Sequence, residues 1–201
     1  LLAALYFWLL YRKRQGLGKN WIWLIPLGQI IWVNLHSYFF IGLGIIGAFA
    51  VETWLAAWRE TRSWQSAGRS SRQYIALFLL AVTASLIHPS GARALLAPLT
   101  MFSNYGYEIV ENKSIIFLQR WGNLDLNFFF VQALSLLLVA LWLWGGWRRK
   151  KWALAMMILT AALGIMAWLA VRNITLFALF ALPALAAGLA VLPWDKLNLD
   201  R

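Results

Sequence analysis

Seven apolar segments follow one another along this chain, and nearly all of its Lys and Arg fall in every second gap between them. A membrane-crossing helix needs ~20 apolar residues, with ~17 as a lower bound. The candidate spans are 1–11, 21–35, 38–57, 74–88, 127–147, 152–171 and 174–193. One set of gaps holds Arg12, Lys13, Arg14 and Lys19, then Arg59, Arg62, Arg69 and Arg72, then Arg148, Arg149, Lys150 and Lys151, with Lys196 and Arg201 in the tail. The other set holds only Arg93, Lys113, Arg120 and Arg172. Short loops rich in Lys and Arg stay in the cytoplasm. The expected fold is therefore all-α: a polytopic transmembrane helix bundle of about seven spans, forming one transmembrane domain over 1–201 with a cytoplasmic C-terminus. The opposite face carries a tight turn at 34–37, a long extracytoplasmic loop at 89–126 and a turn at Arg172-Asn173.

Composition agrees. The chain is 62% hydrophobic and 12% charged, whereas a soluble domain is about one quarter charged. It carries 14 Trp, and Trp gathers where headgroups meet hydrocarbon. A net charge of +11 would point to nucleic acid in a soluble protein. Here it orients helices, so the expected partner is the lipid bilayer and no nucleic acid. There is no Cys, which excludes a disulfide frame, a thiol nucleophile and thiolate metal ligands. The chain starts at Leu1 inside an apolar run, and is expected to be the C-terminal part of a longer protein.

Within the spans, Gly42, Gly44 and Gly47 suggest close helix approach. Glu52 lies about one turn inside the cytoplasmic end of its span. A carboxylate there is expected to sit at the interface or to pair with another helix.

The chemistry is expected on the outer face. Trp32-Val33-Asn34-Leu35-His36-Ser37-Tyr38-Phe39 closes one span and opens the next. Its plainer reading has Asn34 capping a helix and His36 bonding a free carbonyl. His88-Pro89-Ser90-Gly91-Ala92-Arg93 breaks a later span. Arg grips phosphate in bidentate fashion and an imidazole changes charge near neutral pH, so His88 and Arg93 form a candidate lipid-phosphate site. Residues 92–103 are too short to span and suit an interfacial helix. The stretch Asn104-Tyr105-Gly106-Tyr107-Glu108-Ile109-Val110-Glu111-Asn112-Lys113-Ser114 follows. Its Tyr105, Tyr107, Glu108 and Glu111 suit sugar hydroxyls, and carboxylates also suit a hard cation. Arg172-Asn173 completes the face. His36 and His88 with Glu108, Glu111 and Asp125 offer ligand chemistry for a divalent cation, but two histidines so far apart do not define a metal site; no cofactor is expected.

These segments resemble a family. Trp32-x-Asn34-Leu35-His36 is similar to the W-x-N-x-H-G-G-F segment of bacterial multi-spanning glycosyltransferase-like proteins of the GT-C, dolichyl-phosphate-mannose mannosyltransferase type. His88-Pro89-Ser90-Gly91 resembles their N-P-Y-G. Tyr105-Gly106-Tyr107-Glu108-x-x-Glu111-Asn112 and Phe117-x-x-x-Trp121 resemble the following outer loop, and Arg172-Asn173-Ile174-x-Leu176-Phe177 their R-N-I-P-L-F. The chain departs at Ser37-Tyr38, which replace Gly-Gly, at His88, which replaces Asn, and at Thr175, which replaces Pro.

The resemblance implies a bacterial plasma-membrane enzyme that transfers a sugar from a polyprenyl-phosphate-linked donor to an extracytoplasmic acceptor. It assigns Asn34, His36, Tyr105, Tyr107, Glu108 and Glu111 to substrate, and His88, Arg93, Arg172 and Asn173 to the lipid phosphate. The catalytic carboxylate in such enzymes lies in the first outer loop, expected upstream of Leu1, so no residue here takes that role. The alternatives are a transporter or flippase, which predicts ionisable residues at mid-bilayer and an internal repeat, and a non-catalytic membrane scaffold subunit.

Overall fold

A computed structural model describes residues 1–17, 20–100, 109–149, 153–190 and 192. Among the described residues all regular structure is helical. The chain divides into two compact units, Leu1–Tyr105 and Gly106–Arg201.

The first unit holds α1 (Leu2–Arg14), α2 (Ile25–Leu35), α3 (Phe40–Thr61), α4 (Trp64–Ser85) and α5 (Ala92–Thr100). Helices α3 and α4 form its central hairpin. Arg62 closes α3 in the left-handed region (φ 55°), its amide donating to the Trp58 carbonyl at 2.8 Å. Ser63 then caps α4, its Oγ accepting the Ser66 amide at 3.3 Å, the usual remedy for orphan amides at a helix start. The buried stripe of α4 is Ala67, Ser71, Tyr74, Leu77, Ala81, Ala84 and Ser85. Its mostly small residues recur at helical spacing and let α3 approach closely.

Helices α1 and α2 pack on this hairpin through a few polar anchors. The Tyr6 hydroxyl donates to the Ile25 carbonyl at 2.9 Å. A Cβ on Gly28 would lie 2.8 Å from that hydroxyl oxygen, and one on Gly42 would lie 2.7 Å from Gln29 Oε1 and 2.9 Å from the Tyr6 ring. Of the three glycines noted on α3, Gly42 alone makes this close approach; Gly44 faces open space, and Gly47 has only an ordinary contact with Phe78. Glu52 is buried and pairs with Arg14 of α1 at 3.1 Å. The carboxylate is thus held by a neighbouring helix.

The second unit holds α6 (Ile115–Arg120), α7 (Leu126–Arg149), α8 (Leu154–Leu169) and α9 (Ile174–Leu189). Helices α8 and α9 turn back on each other through a 3-10 turn at Val171–Asn173, and α7 packs on α9.

Three helical stretches are long and apolar enough to cross a membrane: Ser37–Thr61, Leu126–Gly145 and Val171–Leu189. They match the expected segments 38–57, 127–147 and 174–193. The expected 21–35 and 152–171 fall in shorter apolar helices, Trp21–Leu35 and Leu154–Leu169. The first is a 3-10 turn followed by α2, together about 24 Å long, short of the ~30 Å hydrocarbon core. Of the expected 74–88, residues 74–85 form the second part of α4, whose first turns carry Arg69 and Arg72, and 86–88 lie in the turn beyond it. Within the expected loop 89–126 lie α5, a 3-10 turn at Val110–Asn112 and α6.

Both units hold polar groups inside and show apolar ones outside. Gln29, Glu52, Ser71, Ser85, Thr160 and Asn173 are buried, while Leu27, Ile31, Leu79, Phe130, Leu136 and Leu182 are exposed. Large exposed apolar surface of this kind marks contact with lipid or with another protein.

Candidate functional site

Each unit carries one polar-lined groove of interest. In the first unit, Asn34, His36, Ser37, His88, Ser90 and Arg93 line a groove of about 370 Å³. Two stretches far apart in sequence meet there because α3 and α4 are antiparallel. The groove lies at the end of that hairpin away from Arg59 and Arg62.

A buried amide holds the two stretches in register. Gln29 Nε2 donates to the Phe39 carbonyl at 3.2 Å and to Ser85 Oγ at 3.0 Å. Phe39 follows His36 by three residues, and Ser85 precedes His88 by three. Asn34 adds a second tie at the rim: its Nδ2 donates to the carbonyls of Ile30 and Ile87, both at 2.8 Å. Its amide nitrogen therefore joins the end of α2 to the end of α4.

The two histidines share one local device. His36 Nδ1 accepts the Tyr38 amide at 3.1 Å, and His88 Nδ1 accepts the Ser90 amide at 3.0 Å. Each ring faces the amide two residues on and keeps its hydrogen on Nε2. The expected carbonyl partner for His36 is replaced by an amide for a clear reason. His36 precedes the 3-10 turn Ser37–Phe39, and at a helix start it is N–H groups that lack partners. Beyond His88, Gly91 adopts φ 51°, its amide donating to the His88 carbonyl at 2.7 Å. This turn launches α5, whose second residue is Arg93. Arg93 is exposed at the groove edge. The groove thus combines a guanidinium with imidazole N–H donors, a set that suits an anion.

In the second unit, Glu111, Asn123, Asp125, Asn127 and Thr175 contribute to a groove of about 400 Å³. Asp125 Oδ1 accepts the Asn127 amide at 2.8 Å at the start of α7. Beside it the turns at 110–113 and 171–173 are laced together. Arg172 Nη1 donates to Asn112 Oδ1 at 2.7 Å, and the Val171 amide donates to the Lys113 carbonyl at 3.1 Å. Asn173 is buried, and its Nδ2 donates to the Met166 carbonyl at 2.9 Å, closing the end of α8. Asn173 therefore shapes the turn that presents Arg172. Tyr105, Tyr107 and Glu108 lie outside the described residues. No group of three or more His, Asp or Glu able to hold a metal ion occurs among the described residues.

Sequence reasoning missed Gln29 and the Arg172–Asn112 bond. Gln29 had a signal: it is the one amide side chain within the apolar run 21–33. Asn112 had none, since its partner lies sixty residues away. The chain matches no protein-family profile, no curated protein and no solved structure.

Proposed function

We propose that the chain belongs to a multi-spanning bacterial plasma-membrane transferase of the glycosyltransferase-like kind. It moves a sugar from a polyprenyl-phosphate-linked donor to an acceptor on the extracytoplasmic side. The observation that carries this reading is the groove shared by His36, His88 and Arg93, at the helix ends remote from the Arg-rich corner. Positive-inside orientation gives those ends to the outer face. There Arg93 and the His88 imidazole N–H receive the donor phosphate, and His36 faces the substrate beside them.

The reaction is displacement at the anomeric carbon. The acceptor hydroxyl attacks, the bond from the anomeric carbon to the donor phosphate oxygen breaks, and a carboxylate takes the hydroxyl proton. The charge that grows on the departing phosphate is what fixed donors stabilise. Asn34, Tyr105, Tyr107, Glu108 and Glu111 serve sugar or acceptor, and Arg172, carried on the turn that Asn173 shapes, serves phosphate. No residue here is given the role of base.

The test is retention of a polyprenyl phosphate by the purified chain in detergent, read by native mass spectrometry. Arg93→Gln is expected to lower retention about tenfold, the loss of one charge-assisted contact. Unchanged retention in Arg93→Gln and in the His36→Ala/His88→Ala double variant overturns the reading. Glu52, buried and paired with the more exposed Arg14, favours a second reading, transport, because ionisable groups inside apolar helices often mark a path. That reading requires Glu52→Gln to abolish substrate movement across liposomes while polyprenyl phosphate retention stays low throughout.

A further inference from the structure

A second groove in the first unit lies near the basic end of α1, between α1 and the segment 21–28. Its volume is about 400 Å³, and its lining includes Leu5, Trp8, Leu9, Leu24, Gly28 and Arg12. The walls are apolar along α1 from Leu5 to Leu9, and the groove ends at Arg12, about 10 Å from Leu5 along the helix. Gly28 lets the Tyr6 ring lie flush against the groove wall, since a Cβ there would come within 2.8 Å of the Tyr6 hydroxyl oxygen.

Arg12 is held at the mouth. Its guanidinium carbon lies 4.9 Å above the Trp8 ring, a stacked geometry that fixes the head while the stem follows apolar surface. Its neighbours are already engaged: Lys13 donates to Asn20 Oδ1, and Arg14 pairs with Glu52. Among the described residues Arg12 has no acidic partner. Exposed Trp21 and Trp23 stand on the facing segment, the residue type that settles at the headgroup level.

We infer that this groove binds an anionic phospholipid of the cytoplasmic leaflet, with the phosphate on Arg12 and one acyl chain between α1 and α2. Charge decides the occupant: an apolar slot that ends in an unopposed, oriented guanidinium complements a lipid carrying net negative charge and not a zwitterionic one. The site rests on the membrane reading of the chain and not on sugar transfer.

The purified chain in detergent is offered equal amounts of phosphatidylglycerol and phosphatidylcholine with matched acyl chains, and bound lipid is read by native mass spectrometry. Phosphatidylglycerol is expected to exceed phosphatidylcholine about fivefold, the effect of one basic residue at an anionic surface. Arg12→Gln brings the ratio close to one, Arg12→Lys keeps most of it, and Arg59→Gln, an exposed cation on α3, leaves it unchanged. Leu9→Trp fills the slot and reduces binding of both lipids. Soluble glycerol phosphate in excess does not displace the bound lipid. An Arg12→Gln ratio equal to that of the parent overturns the inference. So does displacement by glycerol phosphate, or a lipid-free dimer showing that a second copy covers the groove. Arg93→Gln leaves this ratio intact while lowering polyprenyl phosphate retention, so the two sites fail separately.

Discussion

Gln29 donates from Nε2 to Ser85 Oγ at 3.0 Å, joining α2 to α4 inside the first unit. The same nitrogen reaches the Phe39 carbonyl, so one buried amide sets where both histidine-bearing turns begin. Gln29→Leu removes both bonds, though the Ser85 hydroxyl keeps its own bond to the Ala81 carbonyl at 2.9 Å. The expected cost is about 1–3 kcal/mol, measured by denaturant unfolding in detergent. Retention of polyprenyl phosphate should fall with it, although Gln29 does not line the groove.

Gly42 and Gly44 lie two residues apart on α3 and should respond in opposite ways. A methyl at Gly42 meets Gln29 Oε1 and the Tyr6 ring inside 3 Å. Gly42→Ala is expected to destabilise by about 1–3 kcal/mol through overpacking. Gly44→Ala meets nothing and gains helix propensity, so its melting temperature should hold or rise. Equal effects at the two positions would argue against the packing of α1 and α2 on α3.

Arg14 and Glu52 differ in burial, with side-chain exposures of 34% and 9%. Removing Arg14 leaves a carboxylate in a poorly hydrated place, whereas removing the charge of Glu52 leaves an Arg that can still reach water. Arg14→Gln is therefore expected to cost more stability than Glu52→Gln, by about 1 kcal/mol or more. The double variant should cost less than the sum of the two. Thermal unfolding of all four proteins in one detergent checks this.

The absence of cysteine makes orientation directly measurable. Ser90→Cys is expected to react with a membrane-impermeant maleimide on intact cells. Gln65→Cys, near the start of α4, should react only after lysis. The reverse pattern would place the His36–His88 groove in the cytosol and end the proposed reaction.

Much of the architecture was legible because apolar runs and charge gaps are local signals. Alternation of those gaps put 34–37 and 88–93 at one end, and the antiparallel α3 and α4 bring them into one groove. What hid was pairing across sequence. Nothing local in Glu52 names Arg14, and nothing in Asn112 names Arg172. The segment 21–35 was legible as short for a span, and it forms a short apolar helix, Trp21–Leu35; that its first residues, Trp21–Leu24, would form a 3-10 turn was not legible, because hydropathy does not sense backbone pitch. The role expected of Asn173 came with the R-N-I-P-L-F resemblance; nothing local in the sequence names the Met166 carbonyl to which its amide donates.

Gln29 lies fully buried while Leu27 and Ile31, on either side of it in the same helix, are more than half exposed. Helix α2 thus turns the Gln29 amide inward, among a core that is otherwise mostly apolar, and shows aliphatic side chains outward, as a helix facing lipid or another protein does. Stripped of every amphiphile, the chain should clump through its greasy flanks well before its internal bonds give way, so precipitation during purification would report loss of surroundings and not loss of fold.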